Sequence, residues 1–299
     1  MLPTYPDFQK ISIDHKRDIE QITNKFRPYS DFNFVSLFCW NTSDSLEASI
    51  LHNNLVIKMP DYVTSKDFYT FIGETNVDET VKTLLTEANE LRLVPEEVVK
   101  NLRSTENLLI SDDRDNYDYI LSAPVLAELK GGHFLEKRRL RNNFIKEFGG
   151  SLRVEPIDIT DEKIKDQIRK MITLWADIKG DQANENELIA IDKMLNHAGF
   201  FDLKSLAIYV DDEMLGFIIN EHHSNDSVVS HFSKTDVSMT GATAYLVNEN
   251  GKYLTSLGYE YINYEQDLGL PGLRKSKTLW QPVDYLRKYT IKLKPEVDV

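Results

Sequence analysis

Residues 227–264 read SVVSHFSKTDVSMTGATAYLVNENGKYLTSLGYEYINY and contain the pattern that decides the fold of this chain. Two short apolar runs of strand length, Ser227 to Ser233 and Tyr259 to Tyr264, flank a longer segment. That segment, Gly241 to Leu257, has the length and the apolar spacing of a helix. The stretch therefore predicts a strand, a helix that packs across it, and a second strand beside the first.

The elements before that stretch complete a lobe. The sequence predicts, in chain order, a strand, two helices and two strands: Leu152 to Ile157, Asp161 to Ala176, Asn184 to His197, Ser205 to Val210 and Met214 to Asn220. The short DDE turn between the last two strands suits a hairpin. This order resembles the GNAT acyltransferase fold, so we expect an α/β lobe whose mixed, largely antiparallel sheet is flanked by helices.

The length of 299 residues accommodates two domains of about 150 residues each. A helical pattern from Ala123 to Phe148 is interrupted by two glycines and ends at Gly149 and Gly150, as helices often end at glycine. We expect an N-terminal GNAT-like domain, a basic connecting helix and a C-terminal GNAT-like domain, over residues 1–122, 123–150 and 151–299.

Composition excludes several classes of protein. A net charge of -13 makes a poor non-specific nucleic-acid binder, so we expect no DNA partner. The single cysteine, Cys39, cannot form an internal disulfide, and we expect a reducing, cytoplasmic location. The first residues lack the apolar core of a signal peptide. No run approaches the roughly 18 apolar residues of a membrane helix, so we expect no transmembrane segment.

Two basic islands interrupt this acidic chain. Residues 130–146 carry six cations against one acid, and residues 274–294 carry seven cations against one acid. Such islands favour a specific anionic ligand. In the first island, helical spacing puts Lys137 and Arg141 one turn apart within an apolar arc, where an unpaired charge is costly. We expect these two side chains to face inward and bind an anion, and Arg139 to face solvent together with Lys146.

The segment SHFSKTDVSMTGATAY, residues 230–245, predicts a second anion site. A strand here ends with His231 and Lys234, and a helix opens near Thr240, Gly241 and Ala242. The N–H groups at a helix N-terminus point outward and attract anions. In GNAT folds this turn holds the pyrophosphate of coenzyme A, so we expect it to receive the donor; an ordinary helix start is the alternative.

The segment YINYEQDLGLPGLRKSK, residues 261–277, places acids at a strand end next to a turn and a basic run. Glu265 and Asp267 follow the strand, and Arg274 and Lys277 follow the turn. This group suits a carboxylate, amine or phosphate site, with a salt-bridged turn as the alternative. The chain has no HExxH or Cys–His spacing, no Walker loop and no GxGxxG, so we expect no metal site.

Together these segments resemble the phosphatidylglycerol lysyltransferase C-terminal domain family, whose members have two tandem GNAT-like domains. The resemblance rests on YSDFNFVSLFCW at 29–40, Tyr117 to Tyr119, LKG at 129–131, Lys137 and Arg138 with Asn142, Phe144 and Phe148, His231 with Lys234, and INYEQDLGLPGLRKSK at 262–277. The chain departs from the family pattern at Ser233, where glutamate is expected, and at Tyr264 and Gln266, where arginine and glutamate are expected.

The resemblance implies a reaction, because related lipid-modifying enzymes move an amino acid from aminoacyl-tRNA to a lipid hydroxyl. It assigns Lys137 and Arg138 to the family's basic helix and places four further residues at family-typical positions: Lys234, Asp267, Arg274 and Lys277. The leading hypothesis is transfer from an acyl-CoA or aminoacyl-tRNA donor to an amine or hydroxyl acceptor, in a cleft between two lobes. The acceptor would be a small molecule, a peptide or a lipid headgroup, with no permanently bound cofactor and tRNA as a possible partner.

The expected division of labour follows from charge. Lys234 and Arg274 would hold the donor's phosphate or the developing oxyanion. Glu265 or Asp267 would orient or deprotonate the acceptor, with His231 as the alternative base. The alternative function is a catalytically degenerate module of the same fold that binds a nucleotide-bearing ligand, which the three departures from the family pattern suggest.

Overall fold

A computed structural model describes residues 1–60, 67–179 and 185–295. The chain divides into two compact units. The first comprises Met1–Asp118, Gln266–Pro271 and Tyr285–Val299, and the second comprises Tyr119–Glu265 and Gly272–Asp284. Each unit is therefore assembled from separate stretches of the chain. The division expected from the sequence, into residues 1–122, 123–150 and 151–299, stays a prediction.

The helices and strands are numbered in chain order. The first ten are β1 (Gln9–Lys10), α1 (Lys16–Thr23), α2 (Phe34–Cys39), β2 (Glu47–Leu51), β3 (Asn54–Pro60), β4 (Asp67–Ile72), α3 (Val77–Glu87), β5 (Glu90–Pro95), α4 (Glu96–Lys100) and β6 (Leu108–Asp112). The others are β7 (Asp118–Ser122), α5 (Ala123–Glu128), α6 (Leu135–Phe148), β8 (Leu152–Ile157), α7 (Glu162–Lys179), α8 (Glu185–Asn196), β9 (Leu203–Val210), β10 (Glu213–Ser224), β11 (Ser227–Thr235), α9 (Ala242–Ser256), β12 (Tyr261–Asn263), α10 (Pro271–Thr278), β13 (Asp284–Leu286) and β14 (Lys288–Leu293). The elements predicted between residues 152 and 264 are confirmed, although Asn184, the predicted start of α8, lies outside the described residues.

The first sheet has seven strands in the order β1-β2-β3-β4-β5-β14-β6. Adjacent strands of this sheet pair antiparallel, except that β4 and β5 are parallel and are joined by α3. Val77, Val81 and Leu84 recur at helical spacing on α3, and they are buried in one cluster with Phe71 and Leu91 of the sheet. Full burial of one such side chain stabilises the fold by about 1.5–3 kcal/mol.

The second sheet has the order β13-β7-β12-β11-β10-β9-β8. Strands β8 to β11 pair antiparallel, as do β12 and β7, whereas β11 and β12 are parallel. The helix α9 joins β11 to β12 and covers one face of the sheet, because Leu246 on α9 is buried in one cluster with Leu206 and Ile218. The helix α6, which lies within the predicted basic connecting helix, contributes Phe144 to the same cluster.

The two units repeat one βαβ element. In each, a helix joins two parallel strands within a sheet whose other described pairings are antiparallel. In each, that helix follows a residue in the left-handed region: Asn76 with φ 47° before α3, and Gly241 with φ 95° before α9. The predicted fold class, two α/β lobes with mixed, largely antiparallel sheets flanked by helices, is confirmed.

The predicted break in the basic helical segment is also confirmed. The helix α5 ends at Glu128 and α6 begins at Leu135. Arg138 reaches back across the break and donates hydrogen bonds to the carbonyl oxygens of Leu129 and Gly131, the second over 2.7 Å. Carbonyl groups at the end of a helix lack helical partners, so this guanidinium stabilises the turn between α5 and α6.

The longest described helix, α7, has 18 residues and is amphipathic. It buries Ile168, Met171, Ile172 and Trp175 and exposes Leu174. Among the described residues, no helix combines the length and the apolar character that crossing a bilayer requires.

Candidate functional site

The candidate site lies in the second unit, where β11 and β12 part. These parallel strands pair only over residues 227–229 of β11 and 261–263 of β12. The strand β11 continues to Thr235, whereas β12 ends at Asn263. The residues that follow Val229 on one strand and Asn263 on the other therefore border an opening between two strands of one sheet.

A bulge at this opening re-aims His231. On β10, Ile219 pairs with Phe232 of β11, and the next residue, Asn220, pairs with Ser230. His231 is therefore the extra residue of a β-bulge. Bulges of this kind redirect a side chain and are over-represented next to active sites. Here the bulge brings the imidazole to Glu221, the neighbour of Asn220 on β10.

His231 lies between two carboxylates. Its Nε2 is 3.0 Å from Oε2 of Glu221, and its Nδ1 is 3.3 Å from Oε1 of Glu265. Burial lowers the pKa of the imidazole, but hydrogen bonds to both carboxylates raise it by more, to about 9. His231 is therefore an imidazolium at neutral pH, with both ring nitrogens donating, and the Glu221 and Glu265 carboxylates accept.

Glu265 has an unusual backbone conformation directly after β12. Its φ is 55°, in the left-handed region that non-glycine residues rarely adopt. Its N–H donates to Oδ1 of Asn263 over 2.7 Å, and its carbonyl oxygen accepts from the N–H of Tyr119 over 3.2 Å. These bonds hold the strained residue so that its carboxylate, which is 20% exposed, meets His231.

Lys234 lies three residues after His231 on β11. Its Nζ forms a 2.7 Å ion pair with Oε1 of Glu187 on α8 and lies 4.0 Å from the ring centroid of Trp175 on α7. Only 11% of the Lys234 side chain is exposed. The predicted catalytic lysine on β11 thus contacts both α7 and α8.

Two residues that depart from the family pattern contact each other. The side chains of Ser233 and Tyr264 share a hydrogen bond, and burial raises the pKa of the Tyr264 phenol to about 12. Lys277 of α10 donates to the Tyr264 carbonyl oxygen over 2.5 Å. A neutral hydrogen bond therefore joins positions where glutamate and arginine were expected.

The predicted anion-binding cations of α6 have distinct surroundings. Lys137 and Arg141 are half-buried, whereas Arg139 and Lys146 are exposed, as the helical spacing predicted. The Lys137 Nζ lies 4.1 Å from the ring centroid of Trp280, and burial lowers the pKa of this ammonium. The Arg141 Nη1 donates to Oδ1 of Asn248 on α9 over 3.1 Å, and Arg138 stabilises the α5–α6 turn. Their binding role stays a prediction.

The predicted phosphate cradle at the start of α9 is closely packed. A Cβ on Gly241 would lie 2.4 Å from the carbonyl oxygen of Leu140 and 3.0 Å from Cβ of Phe144, so glycine lets α6 approach the first turn of α9. Ala242 is fully buried and its N–H donates to the carbonyl oxygen of Met239 over 3.1 Å, whereas Thr240 is exposed. The exposed edge of the predicted cradle is therefore Thr240.

The remaining predicted site residues each have surroundings of their own. Asp267 belongs to the first unit, is fully buried, and lies 3.3 Å from Nη1 of Arg114 while accepting from the N–H of Gly269 over 2.9 Å. Arg274 is half-buried on α10. The structure thus brings His231 and Glu265 together, and it gives Lys234, Asp267 and Lys277 separate partners.

Three residues of the second unit that contact His231 or Lys234 were not predicted from the sequence. Glu221 ends the apolar run LGFIIN of β10, and an acid within a buried strand is a signal that would have identified it. Glu187 and Trp175, which hold Lys234, lie on amphipathic helices and carry no local signal of their own.

A buried charge cluster in the first unit was also missed. Lys288 of β14 is fully buried and pairs with Asp31 and with Asp118, the second over 2.9 Å. The Gln266 amide donates to Oδ1 of Asp31 over 2.7 Å and to Oγ of Ser30 over 3.2 Å. Burial raises the pKa of Asp31, and the two carboxylates raise that of Lys288 against the effect of burial. This cluster joins four separate segments of the unit.

Comparisons with known proteins agree on a family. The sequence model described as "Phosphatidylglycerol lysyltransferase, C-terminal" matches residues 23–292. No curated protein matches the chain. A conserved protein of unknown function from Bacteroides thetaiotaomicron has a TM-score of 0.82 and 26% identity, over 98% of this chain and 100% of that one. The C-terminal domain of a putative lysylphosphatidylglycerol synthetase from Agrobacterium fabrum has a TM-score of 0.66 and 12% identity, over 95% and 93% of the two chains, a likeness of fold alone.

Proposed function

The chain belongs to the phosphatidylglycerol lysyltransferase C-terminal domain family, and from this premise we propose that it is an acyl or aminoacyl transferase whose acceptor reacts at the opening between β11 and β12. One observation carries the proposal: the bulge of β11 presents His231 to Glu221 and to Glu265, a strained residue at the end of β12. Burying charged groups and holding a residue in a strained conformation both reduce stability, so such an arrangement occurs mostly at functional sites.

The proposed step transfers an activated carbonyl. The acceptor's amine or hydroxyl attacks the carbonyl carbon of a thioester or ester donor, the new C–N or C–O bond forms, and the bond to the leaving thiol or ribose oxygen breaks. The acceptor's proton passes to Glu265, the most exposed group of the cluster, and then to the leaving group. His231 is protonated at neutral pH, so in this proposal it orients Glu265 instead of acting as the base.

The donor in this proposal is an acyl-CoA or an aminoacyl-tRNA. Its phosphates would be bound by Lys137 and Arg141 on α6 and by the exposed edge of the α9 N-terminus at Thr240. Lys234 would exchange its ion pair with Glu187 for the donor or for the developing oxyanion. The half-buried positions of Lys137 and Arg141 support this assignment. The expected cleft between two lobes, with Asp267 and Arg274 in it, stays a prediction.

A second function is favoured by the bond between Ser233 and Tyr264. A neutral pair there supplies less charge to a transition state than glutamate and arginine would. The alternative is therefore a module of the same fold that binds a nucleotide-bearing ligand without turnover. Turnover with any donor excludes it, and tight binding of coenzyme A or tRNA without turnover supports it.

The test measures transfer directly. In one assay the purified chain is incubated with a panel of acyl-CoA thioesters, and release of the free thiol is measured. In the other it is incubated with radiolabelled aminoacyl-tRNAs, and transfer of the label to amines, peptides and lipid headgroups is measured. We expect Glu265→Gln to lower the rate with the productive donor by roughly 100-fold or more. The matched control Glu260→Gln changes an exposed glutamate five residues earlier and is expected to leave the rate unchanged. Equal rates for the two variants would overturn the role of Glu265.

A further inference from the structure

The strand β6 forms an edge of the first sheet. Among the described strands, it pairs with β14 on one side and with no strand on the other. It has five residues, and the only charged one is the last, Asp112. The side chain of Leu109 is 47% exposed. A strand edge without charges or prolines presents a row of backbone groups to which a further strand can add.

The other sheet edges are protected against such addition. Of the four edges of the two described sheets, β1 has only two residues, and β13 has three and begins with the exposed Asp284. The strand β8 is longer, but it carries the exposed Pro156 and an ion pair between Arg153 and Glu155. Short strands, prolines and charges are the means by which proteins prevent edge pairing. Among these four edges, β6 is therefore the one that accepts a further strand.

The hydrogen bonds of β6 show which of its backbone groups point outward. The N–H of Asp113 donates to a carbonyl oxygen of β14 over 3.0 Å, and the carbonyl oxygen of Asn107 accepts from the residue directly after β14 over 2.9 Å. Since ladder groups alternate along a strand, the odd-numbered residues of β6 face β14. The N–H and C=O groups that point away from β14 therefore belong to Leu108, Ile110 and Asp112. The N–H of Leu108 bonds the carbonyl oxygen of Thr105 over 3.0 Å.

These outward groups are complementary to those of a second β6. Consider two antiparallel copies related by a two-fold axis at Ile110. The two Ile110 residues then exchange both of their backbone hydrogen bonds, and the N–H of each Asp112 meets the carbonyl oxygen of Leu108 in the other copy. The N–H of Leu108, which is bonded within its own chain, is not needed. A two-fold axis uses the same edge of both molecules, so the pairing closes at two copies.

Charges and apolar contacts favour the antiparallel orientation. The end of β6 carries the acids Asp112 and Asp113, whereas the ammonium of Lys294 lies at its start, where it donates to the carbonyl oxygen of Glu106 over 2.6 Å. Parallel pairing would bring the acids of both copies together. Antiparallel pairing separates them and places them near Lys294 of the other copy, which fixes the orientation more than it adds affinity. The two exposed Leu109 side chains become diagonal neighbours across the axis.

We propose that β6 pairs antiparallel with β6 of a second copy of this chain, so that the first sheets of two molecules join into one continuous sheet. The two-fold axis passes between the Ile110 residues. This dimer does not depend on the transfer chemistry proposed above, because it needs neither a donor nor Glu265.

Sedimentation velocity of the full chain over about 1–200 µM tests the pairing. We expect an equilibrium between monomer and dimer without larger species, because the two-fold pairing uses up the edge of both molecules. A chain that stays monomeric over the whole range would overturn the proposal. Growth beyond the dimer would overturn it as well, since the contact would then not be closed.

A matched pair of variants locates the contact. Leu109→Lys introduces a charge on each side of the axis, and it is expected to raise the dissociation constant of the dimer by at least about tenfold. The control Leu257→Lys changes a leucine that is 48% exposed, at the end of α9, and it is expected to dimerise like the wild type. Both side chains are exposed, so thermal unfolding is expected to remain close to that of the wild type. Equal dissociation constants for the two variants would overturn the assignment to β6.

Disulfide crosslinking tests the register. In the proposed dimer, Leu109 of one copy lies opposite Ser111 of the other in a non-hydrogen-bonded pair, with Cα atoms about 4.5 Å apart, a distance that a disulfide can span. Chains with Leu109→Cys are mixed with chains with Ser111→Cys and oxidised; the native Cys39 is buried. We expect the mixture to give at least about five times more covalent dimer than either variant alone. Equal yields in all three samples would place the strands in another register and overturn the proposal.

Discussion

Nε2 of His231 lies 3.0 Å from Oε2 of Glu221, and the two side chains are 1% and 6% exposed. The pair exists because a bulge in β11 turns the imidazole toward the carboxylate of β10. With Glu265 on its other ring nitrogen, the imidazolium is held between two carboxylates inside the second unit, which links the protonation of His231 to the stability of the fold.

Stability is expected to fall as the pH rises from about 6.5 through about 9. The folded pKa of His231 is about 9 against an ordinary 6.5, so its stabilisation is complete below 6.5 and is lost as the pH passes the folded value. This difference corresponds to roughly 3 kcal/mol in the free energy of unfolding. Urea unfolding across this range measures it, and His231→Gln is expected to flatten the profile. His133→Gln, at an exposed site, is the control; identical profiles for wild type and His231→Gln would contradict the prediction.

Gly241→Ala is expected to destabilise the fold more than Gly258→Ala. Both glycines have positive φ, 95° and 91°, so alanine costs each roughly 1–2 kcal/mol in backbone strain. A Cβ at Gly241 also meets the Leu140 carbonyl oxygen at 2.4 Å, whereas nothing lies within 4 Å at Gly258. Overpacking adds about 1–3 kcal/mol. Thermal unfolding of both variants measures the difference, because both carry the backbone strain and only Gly241→Ala adds the contact with Leu140. Equal losses of stability in the two variants would show that α6 moves aside without cost.

Lys288→Met is expected to cost about 3–5 kcal/mol, because it leaves Asp31 and Asp118 facing each other without their buried cation. Lys292→Met removes a lysine of the same strand whose side chain is 48% exposed, and it is expected to cost about 1 kcal/mol or less. Denaturant unfolding compares them. A loss below about 1 kcal/mol for Lys288→Met would mean that the carboxylates protonate without consequence.

Arg141→Ala is expected to weaken binding of the anionic donor by about 1–3 kcal/mol, the range for losing a charge-assisted hydrogen bond. Arg139→Ala, which removes an exposed cation paired with Glu136 three positions earlier, is expected to leave binding unchanged. Calorimetric titration with coenzyme A and with tRNA measures both variants. Equal affinities for the two variants would count against an anion site on this face of α6.

Much of the local structure was readable. Residues 227–264 contain a strand, a helix and a strand as predicted, because side-chain periodicity and turn residues act over a few positions. The half-buried state of Lys137 and Arg141 followed from the same periodicity. Glu265 and His231 were both predicted as site residues from their places near strand ends, although the contact between them was not predicted.

The pairing of distant segments was not readable. The strand β14 follows every strand of the second sheet in the chain, yet it pairs with β5 and β6 of the first sheet. Hydrophobic periodicity identifies a strand without naming its neighbour, since the choice depends on the burial and hydrogen bonds of the whole sheet. The same reason hid Lys288, whose buried partners Asp31 and Asp118 lie more than 150 residues away.

The sequence by itself determined the order of helices and strands between residues 152 and 264, the βαβ element of the second lobe and the inward face of α6, because each depends on residues within a few turns of one another. The tertiary structure alone decided which charges meet. His231 became an imidazolium only because the bulge, the end of β12 and the pairing with β10 place Glu221 and Glu265 on its two nitrogens. A charge buried in a protein takes its pKa from partners within a few ångströms, and the folded chain, not the distance along the sequence, sets those partners.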